Sequence, residues 1–336
     1  MPAPSEAYWE QAYRFCKEWT EGKSQFLLHT SGSTGTPKPI TISRQQMLAS
    51  IRATQKALHL ANGQTALVCL NVAYIAGTMM LARGMQIGLT MYVVPPSADP
   101  LQNLPDDISI DFMAVVPLQL QNMIDKGYHR RLDMMQSIIV GGAAVSDSLM
   151  EALQALKVPI YSTYGMTETA SHIALRQLNG PTKSDFYEVL EGIQVATDSK
   201  GCLRICGDVT ANQWVQTNDL LRFIDERHFE VLGRTDNIIN SGGVKIQLEK
   251  VERALTPLLP SSQRFFAFGL SDEVLGQKLI LVLEGKQPFD FEEIKQSLGN
   301  SLTRYEIPKE VFFIEKFTET PTGKIDKYAT VSRLLS

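Results

Sequence analysis

SIIVGGAAVSDSLMEALQALKVPIYSTYGMTE, residues 137–168, is the stretch whose reading decides the fold. Two short apolar runs, SIIVGG and VPIYSTY, bracket VSDSLMEALQALK, in which apolar residues recur at helical spacing. A strand, a helix and a second strand in succession predict parallel pairing, because a parallel crossover needs a dozen or more residues and this helix supplies them. Such sheets bind ligands beyond the carboxyl ends of their strands. That places GGA (141–143) and YGMTE (164–168) where a site is expected.

Working towards the N-terminus, the runs QFLLH, TALVCL, LTMYVV and DFMAVV continue the rhythm from residue 25. Between them SRQQMLASIRATQKALHL (43–60) carries Ser43 and Gln46 at capping-box spacing ahead of a helical repeat. Towards the C-terminus the pattern changes. From about residue 181 to 233, short alternating strands with Gly, Asp and Asn turns predict a small antiparallel, barrel-like subdomain. GRTDNIINSGG (233–243) breaks that pattern with turn formers. The expected fold is thus α/β: a large N-terminal domain over residues 1–233 with a mostly parallel sheet and a small β-rich subdomain, then a C-terminal α+β domain over 234–336.

Bulk properties narrow the function classes. With 336 residues and a formal net charge of −4, the chain favours neither nucleic acid nor an anionic membrane as a main partner. No apolar run approaches the roughly 20 residues that span a bilayer. The opening MPAPSEAYWEQAYRF has no basic stretch followed by an apolar one, so no signal peptide is expected. Cys202 and Cys206 in GCLRICG have a spacing that a metal site uses. They lack a second Cys/His pair nearby, however, and alternation puts both on one apolar strand face, so burial is expected. The setting implied is reduced and cytoplasmic, and the oligomeric state is left open.

Several motifs carry chemistry, each with a plainer alternative. LLHTSGSTGTPKPITIS (27–43) offers little apolar area and lies between an apolar run and the Ser43 helix. A strand, a Gly-rich loop and a helix in that order gather backbone amides around phosphate oxygens. The motif is not a Walker A loop, since Lys38 stands between Pro37 and Pro39. On its own it reads equally as a connector. Glu168 among threonines suits Mg²⁺ held with phosphate oxygens, or else the start of a helix. Asp219 in QTNDLLRF is an acceptor for ribose hydroxyls or a surface aspartate. The segment 233–243 is a hinge or a linker, and Lys324 in PTGKIDK is either a functional lysine or a solvated one.

Taken together and in this order, the five segments resemble the adenylate-forming superfamily of acyl-CoA synthetases, amino-acid adenylation domains and luciferases, over roughly residues 26–330. The phosphate loop of that superfamily is similar to Thr30, Ser31, Gly32, Ser33, Thr34, Gly35 and onward to Lys38. Its adenine-side segment is similar to Gly141, Gly142 and Ala143, and its adenylate segment to Tyr164, Gly165, Met166, Thr167 and Glu168. VPLQL, YGMTETAS and SGGVKI resemble in particular the 2-succinylbenzoate–CoA ligases of menaquinone biosynthesis.

The resemblance implies ATP, Mg²⁺ and CoA acting on a small carboxylic acid, first to acyl-AMP and then to the thioester. It assigns Lys324 to catalysis of adenylation, Glu168 to Mg²⁺, Thr167 to the phosphates, Asp219 and Arg234 to the ribose, and Asp236 to a hinge. Ser241, Gly242 and Gly243 are implied to line a pantetheine channel, opened as a mobile C-terminal lid rotates. Tyr74, Ser171 and His172 are the candidates for the acyl substrate. Three departures stand out. Relatives carry a longer stretch before the phosphate loop, implying an N-terminal subdomain that is lacking here. Tyr74 stands where many have histidine, and Asn218 where glycine is common, which suggests a left-handed turn at Asn218.

Overall fold

The computed structural model describes residues 7–29, 39–260, 263–285, 291–299, 301–320 and 324–335. Helix α1 (Ala7–Thr20), not anticipated from the residue pattern, leads into strand β1 (Gln25–His29). β1 pairs antiparallel with β2 (Pro39–Ser43) in a two-stranded sheet of its own, with His29 opposite Pro39. QFLLH therefore does not join the parallel sheet. The Gly-rich segment 30–38 connects two strands of one hairpin rather than a strand and a helix. α2 (Arg44–Leu58) begins only after β2, with the expected capping box: Ser43 Oγ accepts from the Gln46 N–H, and Gln46 Oε1 accepts from the Ser43 N–H.

The main body follows as β3 (Thr65–Val68), α3 (Ile75–Ile87), β4 (Thr90–Val93), β5 (Phe112–Val115), α4 (Pro117–Asp125), α5 (His129–Asp133), β6 (Ser137–Val140), α6 (Asp147–Leu153) and β7 (Ile160–Gly165). β3 to β7 pair in parallel. β3, β5 and β6 are buried on both faces, as their near-continuous apolar runs require, while the edge strand β4 is partly exposed. Ala66, Phe112, Ala114 and Ile139 pack with α1, α2 and α3. The alternate residues Leu67, Met113, Val115 and Ile138 pack with α4 and α6 on the other face.

β8 (His172–Gln177) turns antiparallel to β7. The expected β-rich part follows as β9 (Tyr187–Val189), β10 (Ile193–Thr197), β11 (Cys202–Gly207), β12 (Val215–Phe223) and β13 (His228–Arg234). These strands run on edge-to-edge from the parallel half, giving one eleven-stranded sheet in the order β10-β11-β12-β13-β9-β8-β7-β6-β5-β3-β4. They enclose a core of their own around Ile173, Leu203, Ile205 and Phe229. Cys202 is buried and all four cysteines are free thiols.

A 3₁₀ turn at Thr235–Asn237 leads to another sheet. β14 (Ile238–Ser241) and β15 (Val244–Gln247) form a hairpin whose first strand and turn lie within the segment read from sequence as turn formers only. After α7 (Leu248–Leu255) come β16 (Phe265–Asp272), β17 (Gly276–Glu284), α8 (Phe291–Leu298), β18 (Glu310–Ile314) and α9 (Lys327–Leu335). Ala267, Leu279 and Leu281 face α7, while Phe266, Ile280 and Val282 face Val331 of α9. Among the described residues no helix is long and apolar enough to cross a membrane.

Candidate active site

The carboxyl ends of β6 and β7 open onto a cavity of about 470 Å³. Gly142, Ala143, Tyr164, Gly165, Asp219 and Lys324, widely spaced in sequence, all line it. Two glycines are dictated by close approach. A Cβ on Gly141 would lie 2.2 Å from Thr163 Oγ1, and one on Gly165 would lie 2.4 Å from both the Ser171 carbonyl oxygen and His172 Cα. The turn between Gly165 and His172 is tightened by Ala170, held at φ 60°, a left-handed conformation that costs a non-glycine residue about 1 kcal/mol or more.

Asp219 is the hub of the cavity wall. The Tyr164 hydroxyl donates to its Oδ2 at 2.5 Å, and Arg234 Nη1 donates to its Oδ1 at 2.9 Å. Burial and the Asp219 carboxylate push the Tyr164 hydroxyl's pKa far up, so it stays a donor. A carboxylate has about four acceptor sites, so each Asp219 oxygen keeps a lone pair for a further donor. Arg234 also grips Asp236 with two parallel bonds of 2.8 Å, Nε to Oδ1 and Nη2 to Oδ2. Asn218 Nδ2 lies 3.5 Å from the same Asp236 Oδ2.

Lys324 is fixed through its backbone to Thr320. Its N–H donates to Thr320 Oγ1 at 3.1 Å, and its carbonyl accepts from the Thr320 N–H at 2.8 Å. Burial, and secondarily Arg234, lower its ammonium pKa from the ordinary value. Of the two cations here, Arg234 is paired with Asp219 and Asp236, while the partly buried Lys324 ammonium has no carboxylate partner among the described residues.

A second polar cluster surrounds Ser171 and His172. His172 is buried, with Nε2 3.0 Å from Thr54 Oγ1 of α2 and Nδ1 3.4 Å from Ser171 Oγ. Arg83 of α3, only 2% exposed, donates from Nη2 to Ser171 Oγ at 2.7 Å and to Thr54 Oγ1 at 3.4 Å. Its Nε has no partner among the described residues, and no carboxylate there pairs with it. Burial lowers its pKa to about 10, which still leaves it charged at neutral pH. Burial, and then Arg83, hold the His172 imidazole well below the usual histidine range, so it is neutral.

A family profile described as "AMP-binding: AMP-binding enzyme" matches residues 4–190, more than half of the chain. The chain belongs to the AMP-binding enzyme family. The 2-succinylbenzoate–CoA ligases of Staphylococcus epidermidis and a Geobacillus species are 26% and 28% identical to it. These alignments cover 90% and 89% of this chain but only 68% and 67% of the ligases. A solved acyl-CoA synthetase (AMP-forming)/AMP-acid ligase II-like protein from Dyadobacter fermentans is 45% identical at a TM-score of 0.68, covering 99% of this chain and 96% of its own. The ATP- and magnesium-bound O-succinylbenzoate coenzyme A synthetase of Bacillus subtilis shares the fold at a TM-score of 0.77, with 21% identity over 91% of this chain and 69% of that one. The chain is accordingly an ATP-dependent, AMP-forming ligase of the acyl-CoA ligase class.

In this AMP-binding enzyme the remaining expected site residues are placed as follows. Thr30 to Lys38 lie outside the described residues, between the ends of β1 and β2. Thr167 and Glu168 form a 3₁₀ turn beyond β7. Thr167 is buried, while the half-buried Glu168 carboxylate makes no hydrogen bond or ion pair among the described residues. Neither they nor Met166 line the cavity itself. Gly242 and Gly243 have φ of 59° and 83° between paired Ser241 and Val244. That is a type I′ hairpin turn, so local geometry already requires both glycines. Asn218 sits inside β12, not in a left-handed turn, because its neighbours are engaged in the ladder with β11 and β13. Tyr74 caps α3 and is half-buried, with no hydrogen bond to Ser171 or His172 among the described residues.

Thr54, Arg83 and Arg176 were missed from sequence. Arg83 had a readable signal, being the one charge in the otherwise uncharged helix IAGTMMLARGMQI.

Proposed function

We propose that this AMP-binding enzyme converts 2-succinylbenzoate to its CoA thioester, with ATP and Mg²⁺. The observation that carries the substrate is the buried Arg83. An isolated charge inside a protein costs several kcal/mol unless a partner and hydrogen bonds offset it. Here Ser171 and Thr54 accept its hydrogen bonds, and no carboxylate among the described residues pairs with it. A dicarboxylate acid supplies one: one carboxylate reacts, and the other rests against Arg83. Neutral His172 leaves Arg83 as the positive charge of that cluster.

In the first half-reaction a carboxylate oxygen of the acid attacks the α-phosphorus of ATP. The new O–P bond forms as the bond to pyrophosphate breaks. Nucleophile and phosphates are all anionic, so the work is positioning and charge neutralisation. Lys324 neutralises charge between the carboxylate and the α-phosphate, in a partly buried site where its charge is weakly screened. Asp219 accepts from the ribose hydroxyls with the lone pairs that Tyr164 and Arg234 leave free. Gly141 to Ala143 flank the base, and Thr30 to Lys38 hold the pyrophosphate end.

Mg²⁺ is typically bound through one or two carboxylates plus substrate phosphates, and the unengaged Glu168, beside Thr167, fits that role. When bound, the ion would screen the phosphate charge.

In the second half-reaction the CoA thiolate attacks the acyl carbonyl, AMP leaves, and the thiol proton passes to solvent. The proposed lid, residues 234–336, turns about Asp236 to withdraw Lys324 and bring the Ser241–Gly243 hairpin turn beside the thiol's path. Breaking the Arg234–Asp236 fork is the local event that frees this hinge.

The test is to incubate the protein with Mg-ATP, CoA and a panel of carboxylic acids, and to assay AMP and thioester. Turnover is expected with 2-succinylbenzoate. Turnover with benzoates or fatty acids alone would replace the substrate, and no turnover with any acid would reduce the protein to a binder of adenylates.

A further inference from the structure

Arg176 stands on β8 directly opposite Ser162 of β7 in the antiparallel register. Its side chain therefore emerges on the face that also carries Ser162 and, two residues along, Tyr164. That face borders the cavity, which Ser162, Tyr164, Arg176 and Tyr187 all line. The Arg176 guanidinium lies over the Tyr187 ring, 5.2 Å from its centroid. Tyr187 is itself fixed, with its hydroxyl 2.8 Å from Ser162 Oγ and its ring packed on Tyr164 and Phe229. Arg176 is thus positioned, yet its Nε is buried with no hydrogen-bond partner and no carboxylate pairs with it among the described residues. Arg234, in the same wall, has two such carboxylates.

The order of groups along the cavity indicates what Arg176 meets. Asp219 hangs on the Tyr164 hydroxyl. On β7, Gly165 lies to one side of Tyr164 and Ser162, with its partner Arg176, to the other. Ser162 and Arg176 are bordered by the Gly142–Val145 loop at the end of the neighbouring strand β6. With the ribose at Asp219, the end of the cavity at Arg176, Tyr187 and this loop is the base end. A guanidinium carries five N–H donors and no acceptor. It cannot bond the amino hydrogens of adenine, only one of the ring nitrogens N1, N3 or N7.

We infer that Arg176 is a base-reading residue, donating a hydrogen bond to a ring nitrogen of the adenine. This rests on the reading of the cavity as a nucleotide site.

The test uses binding alone, with no acid and no turnover. Dissociation constants are measured for AMP and for 1-deaza-, 3-deaza- and 7-deaza-AMP on the wild-type protein and on Arg176→Met. A hydrogen bond from a charged donor makes one analogue bind the wild type about tenfold or more weakly than AMP. Arg176→Met should lose a similar factor for AMP and nothing further for that analogue, since the bond is already gone. The analogue series on the wild type stands even where the variant fails to fold. If all three analogues bind the wild type as AMP does, or if the penalty persists undiminished in Arg176→Met, the base-reading role is overturned while the nucleotide site survives. If AMP itself does not bind, both are overturned.

Discussion

Arg234 and Arg83 each sit in a polar cluster of this enzyme, and the two clusters are built in opposite ways. Arg234 is bound by two aspartates through three short bonds, and the Asp236 fork above all raises its pKa further. Arg83 is more deeply buried, hydrogen-bonds only to hydroxyl groups among the described residues, and has its pKa lowered to about 10. A guanidinium already neutralised by its own chain acts as a strut, and here it ties Asp219 in the cavity wall to Asp236, the proposed hinge. One left without a counter-charge inside a protein is costly to keep, and on the proposed function the acid's second carboxylate offsets that cost. By the same proposal, the nucleotide end has its charges paired within the chain, whereas the acyl end receives its anion from the substrate.

The largest effect that sharpens this contrast comes from Lys324→Ala. Adenylate formation should fall on the order of a hundredfold to a thousandfold, while thioester formation from preformed acyl-adenylate is largely spared. Rapid-quench assays of the two half-reactions check this, and equal losses would break the division of labour. Asp236→Pro removes both bonds of the Arg234 fork and stiffens the turn. It should slow the second half-reaction several-fold and the first half less, and unchanged second-half kinetics would argue against the hinge.

The smallest effect concerns His172. Its folded pKa lies below that of the unfolded chain, about 6.5. The unfolded state therefore takes up the proton first, and stability present above that pH is lost as pH falls towards the folded value. The loss from this one group is at most about 1.4 kcal/mol per pH unit. Urea titrations of the wild type and His172→Gln should show a flatter acid dependence in the variant, and parallel curves would contradict burial of a neutral imidazole.

Much of this was legible in the sequence because short-range rules set it. The Ser43–Gln46 cap, the apolar runs of β3 to β7, and Gly141 and Gly165 depend on local spacing or on one close contact. What escaped depends on partners far along the chain. β2 reads as part of a Gly-rich connector until it pairs with β1. Asn218 looks like a turn residue until β11 and β13 flank it. Arg176 has no signature in its own neighbourhood, since its significance comes from Ser162 and Tyr187. Arg83 was half legible: its helix shows a stranded charge, but not that Ser171, 88 residues later, accepts its hydrogen bond.

On the proposed function, Arg83 receives the second carboxylate of the acid. The most direct measurement is kcat/KM for 2-succinylbenzoate against its analogue in which the non-reacting carboxylate is a carboxamide, in the wild type and in Arg83→Met. The wild type should prefer the diacid by about tenfold to a hundredfold, the value of a charge-assisted bond in a buried site, and Arg83→Met should lose that preference. A wild type indifferent to the change, or a preference that persists in Arg83→Met, would contradict the account.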